Sequence, residues 1–417
     1  RESVARSRQS SGRGMGQVRR VEPRFQARVP RQIGFDPWSR ADTMRGVPIR
    51  DLPPIFSDLF KLAVEHGASD VHLKVGRPAL VRVASQLVET EMPPLTLAQV
   101  ADFIEATVPP AFRARWLADH QVDYSLDLVA AGQGRYRVNA YIQRGQPAVA
   151  LRLVKSNPPD FAALSLDPRS MAALLAADQG LILVCGPTGS GKSSTLAAML
   201  RHLNETEDLH VITLEDPVEY LFADRRCCFS QREVGIDVTS FPAGLKAALR
   251  QDPDVILVGE MRDRETFDTT EHASETGHLV LSTLHAGSAQ QAVQRLFEFY
   301  PPEQLNLAKR AIASVLRAVV VQALVPRADG KGVLPACEVF VVDALARRML
   351  ADGQFERVPE LVEAGGDIGS HSLNKDLARL IRAGLVTKEV GLRVSPQPKG
   401  LEMTLAGISF SATRIVS

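Results

Sequence analysis

The chain has 417 residues, 45% of them hydrophobic and 23% charged, with a formal net charge of +1. That length suits two or three domains with full cores, and the near-zero charge excludes a whole-chain field for nucleic acid or an acidic membrane. No apolar run approaches the roughly 18 residues of a membrane span, and no apolar h-region marks a signal peptide. Four cysteines (Cys185, Cys227, Cys228, Cys337) fit no metal spacing; the adjacent pair is a poor disulfide candidate and the rest read as buried thiols of a reducing compartment.

Residues 1–45 are rich in arginine and poor in large aliphatics, the composition of a disordered extension. A basic arm for nucleic acid or anionic lipid is the other reading. Met44 stands just before the first helix-like segment and offers a candidate start of the native chain. Over 52–66, Ile55, Leu59, Leu62 and Ala63 recur near helical spacing, and Gly67 is a good stop. Strands are expected at 71–75, 80–83, 124–128, 136–140 and 148–154, with one helix over 97–119. Together these predict a small α+β domain over 50–155. Residues 156–170, with Pro158-Pro159 and Pro168, read as a linker.

From 171 to 342, short apolar strands at 181–185, 211–214, 255–258, 279–283 and 334–341 alternate with helices. This predicts an α/β domain with a parallel sheet and helices on both faces. Short helices are expected at 343–351, 357–363 and 373–383, within a C-terminal segment spanning 343–390. No element is assigned in the tail, 391–417.

Between the first of these strands and a helix-compatible run lies Gly186-Pro187-Thr188-Gly189-Ser190-Gly191-Lys192-Ser193, followed by Ser194. It fits G-x-x-x-x-G-K-[ST] at every fixed position, in the strand–loop–helix context that a phosphate-binding loop requires. Glycines let successive N–H groups face phosphate oxygens, and the helix N-terminus adds positive partial charge. Lys192 is then placed for the β- and γ-phosphates of ATP and Ser193 for Mg²⁺.

Three further segments end strands in chemistry-bearing residues. Asp252-Pro253-Asp254-Val255-Ile256-Leu257-Val258-Gly259-Glu260 is a buried strand running into a carboxylate. Such an acid, expected to face the loop from the next strand, can hold Mg²⁺ through water or polarise the attacking water. Because the acid follows a glycine and is Glu, the second role is favoured for Glu260. Ile212-Thr213-Leu214-Glu215-Asp216-Pro217-Val218-Glu219 brings Glu215, Asp216 and Glu219 to another strand end, as metal- or water-ordering acids or as a charged loop. His278 and His285 bracket the strand 279–283 with an odd separation. They therefore face opposite sides and do not share a metal, and either can sense a γ-phosphate or cap its strand. Arg135, Arg137 and Arg152, on strands of the first domain, can meet phosphate charge as arginine fingers do, or form a solvated face.

Taken together, these segments resemble the secretion ATPases, and among them the PilT-type, type IV pilus retraction (twitching motility) ATPases. The resemblance spans residues 52 to 390. It also rests on Gly67-Ala68-Ser69-Asp70-Val71-His72-Leu73, Arg135-Tyr136-Arg137-Val138-Asn139, Gln231-Arg232-Glu233-Val234, Gly259-Glu260-Met261-Arg262-Asp263, and the His-bearing stretch 275–285. It implies a PAS-like N-terminal domain, a RecA-like P-loop ATPase domain and a ring hexamer with ATP and Mg²⁺ between the two domains of each chain. It further implies a cytoplasmic motor, peripheral at the inner membrane. Its partners would be a membrane pilus platform protein and a paralogous ATPase, with no nucleic acid. By match, Glu260 is the catalytic glutamate, with Glu215 and Glu219 near metal and water. His278 and His285 couple phosphate state to domain movement, and Arg135, Arg137 and Arg152 reach the nucleotide. Two departures stand out. Residues 344–352 keep only part of the retraction signature helix, and Ala84-Ser85-Gln86 lacks the usual hairpin glycine. A pilus-extension or type II secretion ATPase is the runner-up, although those usually carry a four-cysteine zinc motif that Cys227, Cys228 and Cys337 cannot supply. A nucleic-acid translocase and a catalytically weak paralogue complete the alternatives.

Overall fold

A computed structural model describes residues 52–84, 86–365 and 369–407. The arginine-rich arm, 1–45, and the end of the tail, 408–417, lie outside the described residues.

Helix α1 (Pro54–Glu65) opens on a proline at its first turn, where no N–H is needed. It buries Phe56, Leu59, Phe60 and Ala63 against a six-stranded antiparallel sheet. That sheet comprises β1 (Asp70–Lys74), β2 (Leu80–Val83), β3 (Gln86–Glu89), β4 (Gln121–Asp127), β5 (Arg135–Gln143) and β6 (Gln146–Leu153), in the order β3-β2-β1-β6-β5-β4. Alternation is clear in β4 and β5, where Val122, Tyr124, Leu126, Tyr136, Val138 and Ala140 are buried. β3 is absent from the sequence expectation because all four of its residues are exposed and no alternation marks it. The single helix expected over 97–119 is two: α2 (Leu97–Thr107) and α3 (Pro110–Asp119). Val108 precedes Pro109 and is held extended at φ −67°, ψ 117°, so the first helix must end there.

The second sheet has seven strands in the order β13-β12-β7-β11-β10-β8-β9. These are β7 (Gly180–Cys185), β8 (His210–Glu215), β9 (Cys228–Glu233), β10 (Val255–Val258), β11 (Leu279–Leu284), β12 (Leu316–Pro326) and β13 (Val333–Val341). All neighbours are parallel except β12 and β13, so the sheet is mixed rather than parallel. Its two faces are filled by different helices. Leu181, Leu183 and Cys185 of β7 enter one core, with α6 (Phe241–Ala248), α7 (Arg264–Glu275), α8 (Ala289–Glu298) and α9 (Leu305–Val315). Ile182 and Val184 enter the other, with α4 (Pro168–Leu175) and α5 (Lys192–Thr206). Thus α4 begins inside the expected linker, with Asp167 capping it at Ser170 N. β12 follows α9 with no turn residue between them, which hid it. β9, Cys-Phe-Ser-Gln-Arg-Glu, has only Phe229 as a large apolar residue and reads as a loop. Cys228, in β9, is exposed, unlike the three other cysteines.

Beyond β13 lie α10 (Ala344–Ala351), α11 (Val358–Ala364), α12 (Leu373–Arg382), α13 (Lys388–Val394) and α14 (Pro398–Leu405). Leu377, Leu380, Val386 and Leu401 pack on Val325, Leu334 and Ala336 of the β12–β13 pair. The unassigned tail therefore supplies one helix of this cluster.

The two sheets meet through Glu233, the last residue of β9. Its buried carboxylate accepts from Arg135 at 2.7 Å, Ser125 Oγ at 2.5 Å and Val218 N at 3.3 Å. Arg135→Ala would leave that carboxylate without its cation, which typically costs about 3 kcal/mol. Urea unfolding checks this, and a loss below about 0.5 kcal/mol would show that the pair does not hold the sheets together.

Candidate functional site

The loop 186–191 sits at the carboxyl end of β7, in the crevice where open α/β sheets bind ligands. Gly186 has φ +148°, and a Cβ there would lie 2.6 Å from the Gln322 carbonyl oxygen and 2.5 Å from Ser190 Oγ. Only glycine fits that approach. Gln322, buried in β12, supports the loop from beneath by donating its amide to Ser190 O at 2.5 Å. Sequence reasoning passed over Gln322; its signal was a lone amide inside the apolar run Val319-Val320-Val321-Gln322-Ala323. Ser190 Oγ and Thr195 Oγ1 are buried without a hydrogen-bond partner.

Lys192 opens α5 and donates to the carbonyl oxygens of Gly186 at 3.0 Å and Pro187 at 3.1 Å. Burial depresses its pKa, against the opposing pull of the Glu260 and Glu219 charges. Thr188, Gly189, Lys192 and Ser193 line a cleft of about 380 Å³. Opposite them stand Glu215, Glu219, Glu260, His285 and Arg137, so residues from both sheets share one cleft. Ser194 is not in the lining; its Oγ lies 2.8 Å from the Tyr220 hydroxyl.

Glu260 follows β10 by two residues. Gly259 N donates to Leu214 O at 2.8 Å and Met261 N to Thr283 O at 3.1 Å, which pins the segment between the ends of β8 and β11. The Ser282 and Thr283 hydroxyls each donate 2.7 Å to the Val258 and Gly259 carbonyls. The sequence places β10 next to β7 in expectation; instead β11 lies between them. Two strand spacings, about 10 Å, therefore separate the chains bearing the loop and Glu260, which leaves room for phosphate and water.

The Glu260 carboxylate accepts from Arg262 at 2.7 Å and stands 3.3 Å from His285 Nε2. Burial pushes its pKa up, but the Arg262 hydrogen bond, with the charges of Arg262, His285 and Lys192, outweighs this and holds it below the usual carboxylate range. Glu215, on the adjacent strand end, goes the other way. Burial raises its pKa despite bonds from Thr213 Oγ1 at 2.6 Å and Gln231 Nε2 at 3.3 Å.

The two histidines separate. His285 lines the cleft, while His278 lies at the opposite end of β11, about 20 Å along the strand. Its Nδ1 is 2.9 Å from Ala273 O, and its carbonyl accepts from Gly180 N. Within one chain His278 is a strand cap, not a cleft residue. The arginines separate too. Arg137 lines the cleft and forms no ion pair among the described residues. Arg135 is held by Glu233 and by Asp127 at 3.2 Å, and Arg152 by Asp70 at 2.9 Å.

The donor set fits a nucleotide with its metal. A glycine cradle, one lysine, a first-turn serine and carboxylates around the cleft suit a triphosphate. Among the described residues no cluster of three His, Cys, Asp or Glu could hold a metal unaided, so a cation here would need phosphate oxygens as ligands. No helix of the described residues is long and apolar enough to cross a membrane.

Residues 49–359 match the family model "Type II/IV secretion system protein". An uncharacterised protein of Escherichia coli, YggR, is 40% identical over 75% of this chain and 94% of its own. The type IV pilus retraction ATPase PilT of Pseudomonas aeruginosa is 34% identical over 80% of this chain and 96% of its own. Among solved structures, the pilus retraction motor PilT with bound ADP is similar at TM-score 0.74 and 37% identity, covering 83% of this chain and 98% of that one. With its phosphate loop, strand-end glutamates and matching extent, the chain belongs to the type II/IV secretion system protein family of ATPases.

Proposed function

We propose that this chain is a motor ATPase of type IV pilus retraction, a RecA-like ATPase core joined to a PAS-like first domain. The convergence of Lys192, Ser193, Glu260, His285 and Arg137 on one cleft carries the catalytic part. Likeness to PilT over nearly the whole of that protein carries the retraction part.

Loop N–H groups and Lys192 bind the β- and γ-phosphates of ATP, and Lys192 exchanges its two carbonyl partners for phosphate oxygens. Ser193 Oγ, and Glu260 through water, would hold Mg²⁺, which when bound neutralises phosphate charge. Glu260, ionised at neutral pH, orients the attacking water and takes its proton. Glu215 and Glu219 order water from the neighbouring strand end. His285, against Glu260, senses whether a γ-phosphate is present. Arg137 reaches the nucleotide from the first sheet, so charge at the γ-position bears on how the two sheets sit. Arg135 positions that sheet through Glu233.

Such motors work as closed rings, and we read this chain as a homo-hexamer at the cytoplasmic face of the inner membrane, pulling on a pilus platform protein. Light scattering of the purified chain with nucleotide checks the ring; a fully active monomer would remove it. Retraction is tested by counting surface pili in the host with this chain deleted. More pili, restored to normal by the wild-type chain, is the expected result. Fewer pili would make the chain an extension motor.

A further inference from the structure

Behind the Glu260 carboxylate lies a second cavity of about 380 Å³, which no step above uses. Glu260, Arg262 and His285 line both this cavity and the nucleotide cleft, so these three side chains form the wall between them. The far side is formed by Arg295 and Glu298 of α8 and by Phe299, the residue that caps it. Arg295 is exposed and forms no ion pair among the described residues. Arg262 is committed to Glu260 at 2.7 Å in this state.

Hydrolysis changes what this wall holds. The phosphate forms next to Glu260, with the loop, Lys192 and ADP closing the opposite side of the cleft. Like charge repels it from the β-phosphate of ADP and from Glu260. The cations of the second cavity are Arg262, in the wall beside Glu260, and Arg295, on the far side, and guanidinium matches phosphate oxygens in a bidentate fork. We propose that this second cavity is a site for inorganic phosphate, occupied as the cleaved phosphate leaves past Glu260 while ADP stays on the loop. Arg262 swings from Glu260 to the phosphate, and Arg295 receives it from α8. No bond is made or broken in this transfer. The inference rests on the ATPase reading above.

The test is product inhibition of the full-length chain, with inorganic phosphate and ADP titrated separately against steady-state ATP hydrolysis. Arg295→Glu is expected to raise the phosphate inhibition constant about fivefold or more and Arg295→Ala by a smaller factor, while the ADP inhibition constant stays within twofold of wild type. ADP is the internal control, because a general change in surface potential would move both anions. Unchanged phosphate inhibition in both variants, or an equal shift for ADP, overturns the phosphate site and leaves the ATPase reading intact. A wild-type chain that hydrolyses no ATP overturns both.

Discussion

Lys192→Ala is expected to bring ATP hydrolysis to background and to weaken ATP binding at least tenfold. Lys192 is the one side-chain cation of the loop 186–193. Its ammonium is already at the loop mouth, bonded to the Gly186 and Pro187 carbonyls. Removing one preorganised charge contact to a transition state costs about 10² to 10³ in rate. The same contact serves the ground state, so affinity falls as well. The substitution should not unfold the chain. Lys192 is only half-buried, and alanine is the better helix former at the first turn of α5. Steady-state hydrolysis and fluorescent-nucleotide titration on the folded variant measure the two losses. Wild-type turnover would remove the loop from the mechanism.

Glu260→Gln is expected to bind ATP but hydrolyse it about 10² to 10⁴ more slowly, the usual cost of losing a general base. Glutamine keeps the size and one acceptor for Arg262 but loses the charge that orients and deprotonates water. Glu215→Gln is expected to be milder. Burial already raises the Glu215 pKa, and Thr213 and Gln231 occupy one of its oxygens, so less of it is free to act on water. Single-turnover rates under saturating ATP separate the two. If Glu215→Gln stops turnover while Glu260→Gln stays within about tenfold of wild type, the roles are reversed.

What the sequence made legible was local. The loop, the strand before it and the helix after it lie within 27 consecutive residues, Gly180 to Thr206. The strand-end acids Glu215 and Glu260 each follow an apolar run that announces its own strand. Choices that depend on distant parts of the chain were not legible. Arg135 and Arg137 are two residues apart and share a face of β5, and Arg152 is paired in register with Arg137. Only the positions of Glu233 and Asp70 decide that Arg135 and Arg152 are held elsewhere and Arg137 is left in the cleft. The His278–His285 separation fixed opposite faces. Which of the two ends reaches the cleft follows from the β7–β11 register, where Leu284 pairs with Cys185 just before the loop. Strands β3 and β9 exist because a neighbour pairs with them, and neither carries the alternation that a half-buried strand shows.

The most direct test is phosphate release from ATP by the purified full-length chain, with and without Mg²⁺, beside Lys192→Ala and Glu260→Gln. The expected result is release that needs the metal, stops on chelation and is lost in both variants, while Glu260→Gln still binds ATP. Release by the wild-type chain no faster than by Lys192→Ala would contradict the assignment of the cleft as an ATPase site.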